Sequence, residues 1–163
     1  MRAFNHRGVR VIATVPVIAA LVLSVMLSGC SQPDGEVMSP SGRIEPLHYR
    51  NWSGRWVLIN YWAEWCAPCR QEIPELNELN ARSGVQVLGV NFDGVPRESL
   101  PQLIAEMQIR FPTLLEDPGP RYSLERPRVL PVTLVIDPRG KLVTALQGPQ
   151  TVATLSEAMG VEP

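Results

Sequence analysis

The sequence predicts an α/β fold in which a central mixed sheet is flanked by helices on both faces. Apolar runs with the character of strands alternate along the chain with segments whose apolar residues recur at helical spacing. The chain has 163 residues, of which 45% are hydrophobic and 19% are charged. This length and composition allow one domain with a packed core and exclude disorder over the whole chain.

The first half of the domain is predicted as a strand, a helix and a second strand. Residues 56–61 form an almost continuous apolar run, which is typical of a central strand covered on both faces. A helix is expected from about 67 to 82, because its apolar residues recur at helical spacing and Gly84 lies just beyond its end. Residues 85–91 are predicted as a second buried strand. A right-handed crossover through the helix makes the two strands parallel neighbours.

The second half is predicted to contain a helix, a short extended piece, a loop, a β-hairpin and a closing helix. In chain order these elements are residues 97–108, 111–115, 116–128, 132–146 and 151–159. Pro101 is expected in the first turn of the first helix, where a proline is tolerated. Residues 137–140 (Asp-Pro-Arg-Gly) form the tight turn of the hairpin.

The N-terminal 29 residues have the order of an export signal. Residues 1–10 are basic and polar, and the next seventeen carry no charge, which is slightly short for a free-standing membrane span. The segment that ends in Gly29-Cys30 resembles the bacterial lipoprotein box, so Cys30 is expected to be lipidated and to have no redox role. An uncleaved signal anchor is the alternative. Both interpretations, the lipoprotein signal and the signal anchor, place the rest of the chain outside the cytoplasm.

Residues 30–45 are expected to form the lipidated cysteine and a flexible tether, because they are rich in Ser, Pro and Gly. The folded domain is then expected over 46–163. Beyond position 30 the chain carries 12 Lys and Arg against 16 Asp and Glu, a poor match to a polyanion, so no nucleic-acid partner is expected. Three cysteines are too few for a disulfide-stapled fold.

The sequence Cys66-Ala67-Pro68-Cys69 lies where the first strand meets the first helix. Its spacing allows a disulfide, and the helix N-terminus stabilises a thiolate. Cys66 is therefore the predicted nucleophile, and Cys69, one turn further along, is the predicted resolving thiol. Pro68 stiffens the loop. A passive disulfide and a metal clip are the alternatives, but a zinc site needs further ligands, and the only histidines are His6 and His48. No metal and no cofactor beyond this cysteine pair are expected.

Residues 60–70 (NYWAEWCAPCR) resemble the active-site segment of the thioredoxin superfamily. Residues 69–76 (CRQEIPEL) are similar to the TlpA/ResA-like branch of membrane-tethered thiol-disulfide oxidoreductases of the bacterial envelope. The similarity continues through 90–93, 111–113 and 130–137, and covers about 46–160. It implies a thioredoxin-like fold and thiol–disulfide exchange at the two cysteines.

The same resemblance assigns further site residues. Pro131 matches the family's cis-proline, which exposes the backbone of Leu130 to an extended substrate. Trp65 and Pro68 are expected to border the substrate. Whether the tryptophans near the cysteines fill the core or contact a partner stays open.

Glu72 matches the acidic residue that the TlpA/ResA-like branch has near its cysteines. The resemblance implies that this carboxylate opposes thiolate formation and relays protons. A solvated charge on the helix face is the alternative. Asn60 departs from the buried Asp of thioredoxin, so Glu72 is the remaining candidate proton acceptor for Cys69.

The function implied is that of an envelope reductase of protein disulfides, among which apocytochrome c is one candidate client. A membrane electron donor of the DsbD/CcdA type would recharge it. Ser31 after Cys30 favours the outer over the inner membrane, with the domain in the periplasm. A thiol oxidase or isomerase, a copper-handling protein and a non-catalytic binding lipoprotein are the alternatives. A peroxidase is disfavoured, because the sequence offers no peroxidatic cysteine separate from the cysteine pair.

Overall fold

A computed structural model describes residues 32–162 of the chain. The predicted signal segment and Cys30 lie outside these residues. Within the described range, no helix has the length and the apolar character needed to cross a membrane.

Seven strands form one mixed sheet. They are β1 (Gly35–Met38), β2 (Ile44–Leu47), β3 (Trp56–Trp62), β4 (Val85–Asn91), β5 (Thr113–Leu114), β6 (Val132–Ile136) and β7 (Leu142–Gln147). Their order across the sheet is β2-β1-β5-β4-β3-β6-β7. The α-helices are α1 (Ala67–Asn80), α2 (Leu100–Glu106) and α3 (Val152–Met159), and 3₁₀ helices span Tyr49–Trp52 and Gly119–Tyr122.

The centre of the sheet brings the carboxyl ends of three strands to one edge. β3 and β4 are parallel, with Trp62 opposite Asn91, and β5 runs parallel to β4. β6 is antiparallel to β3, so its first residue, Val132, lies opposite Tyr61 at the same edge. The segments that follow β3 and precede β6 therefore meet there.

The two faces of the sheet are covered by different kinds of element. All three α-helices bury their apolar residues on one face, where Ile73, Ile104 and Leu155 join one core cluster. On the other face Trp52 and Tyr122, from the 3₁₀ helices, pack against a second cluster. The predicted α/β fold class, a central mixed sheet covered by helices, is confirmed. The helices on the second face are 3₁₀ helices, whereas the α-helices share the first face.

The N-terminal boundary of the domain lies earlier than the sequence predicted. β1 and β2 form an antiparallel hairpin, and β1 also pairs with β5, so residues 35–47 belong to the sheet. Val37, Met38 and Leu47 are buried. The expected tether over 30–45 and the domain start at 46 are therefore wrong where the structure describes these residues, because β1 pairs on both sides, with β2 and with β5, and its apolar side chains enter the two core clusters.

The other predicted elements differ from the observed ones mainly at their ends. β3, β4 and α1 lie within one or two residues of the prediction. α2 is shorter than 97–108: it begins at Leu100, with Pro101 in its first turn, and ends before Gln108, whose positive φ of 57° does not continue a helix. The loop predicted over 116–128 contains the 3₁₀ helix Gly119–Tyr122.

Candidate active site

Cys66 and Cys69 lie at the N-terminus of α1, in the segment that follows β3. They form a disulfide, and their Cα atoms are 5.3 Å apart. Cys66 is the N-cap residue, and its Sγ accepts a hydrogen bond from the backbone N–H of Cys69 at 3.2 Å. Cys66 is 3% exposed and Cys69 is fully buried, so any attack from outside reaches Cys66 first. The same N–H and the helix dipole would stabilise a Cys66 thiolate after reduction.

Two prolines shape α1 around these cysteines. Pro68 lies in the first turn, where its missing N–H leaves no hydrogen bond unmade. Pro74 lies inside the helix and cannot donate to the carbonyl of Arg70.

The two tryptophans near the cysteines have different environments. Trp62 is fully buried, whereas Trp65 is 66% exposed beside Cys66. The indole Nε1 of Trp65 donates to the Asp93 carboxylate at 3.0 Å, and its ring meets Phe92 edge-on at 6.4 Å. Trp65 is thus a fixed surface residue, while Trp62 fills the core.

The structure also places Arg126 at this surface, a residue that sequence reasoning missed. Its guanidinium lies 4.9 Å from the centre of the Phe92 ring and hydrogen-bonds the Phe92 carbonyl. No sequence signal linked Arg126 to a site more than 50 residues earlier in the chain.

Glu72 is buried one turn after Cys69 on the same helix, with 1% of its surface exposed. Its carboxylate accepts hydrogen bonds from the Asn60 side-chain amide and, at 2.9 Å, from the backbone N–H of Gln150. Burial raises the pKa of Glu72 to about 7, although both hydrogen bonds favour the charged form. The alternative of a solvated charge on the helix face is therefore wrong. The hydrogen bond from Gln150 to Glu72 could not be predicted from the sequence, because its donor is a backbone N–H that every residue except proline carries.

Asn60 connects Glu72 to the neighbouring strand. Its Nδ2 also donates to Thr133 Oγ1 at 3.0 Å, while its own Oδ1 is buried without a hydrogen-bond partner. Neither the amide of Asn60 nor the hydroxyl of Thr133 titrates near neutral pH, so Glu72, with a pKa of about 7, is the titratable group of this buried trio.

Leu130 and Pro131 lie just before β6, and the peptide bond between them is cis. The Pro131 carbonyl accepts a hydrogen bond from the Gly148 N–H at 2.9 Å. Leu130 packs against the core cluster that contains both cysteines. The structure thus brings these residues to the cysteine edge of the sheet, while their predicted role in binding substrate stays a prediction.

Within residues 32–162, His, Cys, Asp and Glu side chains form no group of three or more that could hold a metal ion.

The sequence profile of the AhpC/TSA family matches residues 30–145, well over half of the chain. The chain belongs to the AhpC/TSA family. This AhpC/TSA chain is 35% identical over 121 residues to thiol:disulfide interchange protein HelX of Rhodobacter capsulatus, covering 69% of the chain and 68% of that protein. It is 29% identical over 126 residues to thiol-disulfide oxidoreductase ResA of Geobacillus thermodenitrificans, covering 76% and 71%.

Solved structures agree with the fold. A DsbF homologue from Corynebacterium diphtheriae superposes with a TM-score of 0.62 at 20% identity, covering 77% of this chain and 83% of that one. A thiol:disulfide interchange protein of Chlorobium tepidum gives 0.59 at 20% identity, covering 79% and 94%. The resemblance to the TlpA/ResA-like branch of the thioredoxin superfamily is confirmed by the family match and by these relatives.

Proposed function

We propose that this chain is a thiol-disulfide oxidoreductase that reduces disulfides of other proteins at Cys66 and Cys69. One observation carries the proposal: the Cys66–Cys69 disulfide lies at the N-terminus of α1, with Cys66 Sγ facing the N–H of Cys69. A disulfide at this position can be reduced to a dithiol whose first sulfur is stabilised as a thiolate. The names of the relatives, thiol:disulfide interchange protein and thiol-disulfide oxidoreductase, support the same activity.

The reaction transfers two electrons from the reduced cysteine pair to a client disulfide. The Cys66 thiolate attacks one client sulfur, so a mixed disulfide forms and the other client sulfur leaves as a thiolate. Cys69 then loses its proton and attacks Cys66 Sγ. The second client sulfur leaves, the client is now a dithiol, and Cys66 and Cys69 are again joined.

Glu72 is the residue that we propose as acceptor of the Cys69 proton. It is buried one turn further along α1, and burial raises its pKa to about 7, so it can take up and release a proton near neutral pH. The proton then passes to the leaving client thiolate or to solvent.

Client binding is proposed at the surface around Cys66. Trp65 offers a large aromatic face that its bond to Asp93 holds in place, and Pro68 borders the same cysteine. The backbone of Leu130, before Pro131, is proposed to pair with an extended client segment.

The setting of the reaction is part of the proposal. We place the chain in the bacterial envelope, lipid-anchored through Cys30 and facing the periplasm, with the outer membrane favoured. A membrane electron donor of the DsbD/CcdA type would return the disulfide to the dithiol. The clients are oxidised envelope proteins, with apocytochrome c as one candidate. The basic start, the uncharged stretch and Gly29-Cys30 support this setting.

The function is tested by trapping. Cys69→Ser should accumulate mixed disulfides between Cys66 and client proteins, because the resolving step is lost. Cys66→Ser should form none and should fail to reduce a disulfide-bonded peptide. Mass spectrometry of the trapped adducts identifies the clients. Full reductase activity in Cys66→Ser would overturn the proposal.

The direction of electron flow has its own test, because an oxidase would use the same two cysteines. Reduction potentials in this superfamily run from about −120 mV for a strong oxidant to about −270 mV for thioredoxin. We expect a redox titration against glutathione to give a value toward the negative end. A potential near −120 mV, from the same scale, would favour the oxidase.

A further inference from the structure

Arg70 folds back from α1 onto the turn that carries Cys66. Its Nε and Nη2 both donate to the carbonyl oxygen of Glu64, at 3.2 and 3.0 Å. Glu64 lies two residues before Cys66, in the segment between β3 and α1. A planar guanidinium that makes two hydrogen bonds at once fixes the direction of its acceptor better than a single donor does.

Backbone hydrogen bonds hold the same turn from the other side. The Cys66 N–H donates to the Ala63 carbonyl at 3.2 Å, and the Arg70 N–H donates to the Cys66 carbonyl at 3.3 Å. Arg70 is thus bonded on both sides of Trp65, through its backbone to Cys66 and through its side chain to Glu64. Replacing the Arg70 side chain is therefore expected to shift the turn and, with it, the Cys66 Sγ atom.

The exposed guanidinium of Arg70 forms no ion pair with a carboxylate of the described residues. Six ion pairs are formed among residues 32–162, and none includes Arg70. The Glu64 group that it contacts is a neutral carbonyl, not the side chain. A cation beside a thiol at a helix N-terminus lowers the pKa of that thiol.

We propose that Arg70 is a positioning residue for Cys66. Its guanidinium holds the turn that presents the sulfur, and its positive charge favours the thiolate. This inference rests on the proposed role of Cys66 as the nucleophile and adds a residue that neither the cysteine motif nor the buried acid supplies.

Three variants of the full chain separate this role from a general effect on α1. Arg70→Met removes the guanidinium, and Arg70→Lys keeps the charge but loses the two-bond contact. Arg82→Met is the matched control. Arg82 lies two residues beyond the other end of α1 and pairs with Glu78 at 2.7 Å, so the same change is made far from the cysteines.

The measurement is the rate of iodoacetamide alkylation of Cys66 in the reduced proteins as a function of pH, with labelling of Cys66 and Cys69 separated by mass spectrometry. Arg70→Met should move the midpoint of the Cys66 profile to higher pH and slow alkylation at pH 6 by about two- to five-fold. Arg70→Lys should lie between Arg70→Met and the unmodified chain. Arg82→Met should match the unmodified chain.

The inference is overturned if the Arg70→Met profile coincides with that of the unmodified chain, or if Arg82→Met shifts the profile equally. A failure of the proposed function gives a different result. In that case Cys66 of the unmodified chain would itself react no faster than an ordinary free thiol at neutral pH.

Discussion

Glu72 gives the folded domain a specific dependence of stability on pH. Its pKa is about 7 in the folded chain, because burial disfavours the charge, against a usual value of 4.5. The folded state therefore binds the proton more tightly than the unfolded state does. The stabilisation is fully present below about pH 4.5 and is lost as the pH rises through about 7.

Glu72→Gln should remove this pH dependence, because the amide has no proton to lose. Relative to Glu72→Gln, the free energy of unfolding of the oxidised wild-type chain should fall by up to about 3 kcal/mol between pH 4.5 and pH 8. Urea unfolding at several pH values measures the difference. Glu78→Gln, at an exposed position on the same helix, is the control and should track the wild type. A wild-type curve parallel to that of Glu72→Gln over this range would contradict the assignment.

Gly89 makes room for a buried tryptophan. A Cβ atom at this position would lie 2.7 Å from Trp62 Nε1 and 3.0 Å from Thr113 Oγ1. We therefore expect Gly89→Ala to lower the free energy of unfolding by about 1–3 kcal/mol, measured by urea unfolding. Adding Trp62→Phe removes the contacted nitrogen, so the double variant should lose less stability than the two single changes together. Strict additivity would show that the strain lies elsewhere.

Among the secondary-structure elements, those with a clear apolar pattern or a turn signal were predictable, and the two N-terminal strands were not. β3, β4 and α1 each carry enough apolar residues in register to be placed from the sequence. β1 and β2 have four residues each and are separated by polar and turn residues. β2 pairs with β1, and β1 pairs with β5, more than sixty residues later in the chain; no local sequence pattern indicates this second pairing.

The same distinction applies to the candidate site. The cysteine pair and Glu72 belong to one helical segment, and Glu72 lies three residues after Cys69, so the predicted helix puts these two side chains on one face once the family resemblance has singled out Glu72. Asp93 reaches Trp65 across 28 positions, and Gln150 reaches Glu72 across 78 through a backbone N–H. Contacts of this kind depend on the finished sheet and leave no signature in either segment.

The N-terminal hairpin should contribute measurably to stability. Met38 is 2% exposed and belongs to the core cluster beneath the α-helices, whereas Ile44, in the paired strand, is 45% exposed. Met38→Ala should lower the free energy of unfolding by about 2–4 kcal/mol, and Ile44→Ala by less than about 1 kcal/mol, in chemical denaturation. Equally small losses of unfolding free energy in both variants would instead support the flexible tether that the composition predicted.

At the scale of the whole domain, the two faces of the sheet are held in different ways. Packed α-helices cover the face beneath the cysteines, whereas the opposite face relies on 3₁₀ helices, loops and a few polar contacts. Asp117 is central to these contacts. Its Oδ1 accepts hydrogen bonds from Tyr61 Oη at 2.7 Å and from the Gly119 N–H at 2.8 Å, and its Oδ2 lies 3.8 Å from Arg126 Nε. Burial, and then Asp117 itself, raise the pKa of Tyr61, so its hydroxyl stays a donor.

Asp117→Ala should therefore lower the local stability of the 3₁₀ helix Gly119–Tyr122 without unfolding the domain. Amides of residues 119–124 should exchange with solvent at least about five-fold faster, since losing these part-buried hydrogen bonds costs about 1–3 kcal/mol of local stability. Amides of β3 and β4 should keep their protection, because the central strands open only with the whole domain. Native-state hydrogen exchange by NMR measures both sets in one experiment.

Glu116→Ala is the matched control for this change. Glu116 is the exposed neighbouring carboxylate and, within the described part of the chain, takes part in no side-chain hydrogen bond or ion pair. It should leave the exchange of residues 119–124 unchanged. If exchange of residues 119–124 is accelerated equally in both variants, the lost negative charge, and not the loss of the Asp117 hydrogen bonds, is the cause. Arg126 lies between Asp117 and the Phe92 ring, which Trp65 meets edge-on. Asp117→Ala should therefore also make the Trp65 side chain more mobile, which the relaxation of its assigned indole N–H resonance would report in the same NMR study.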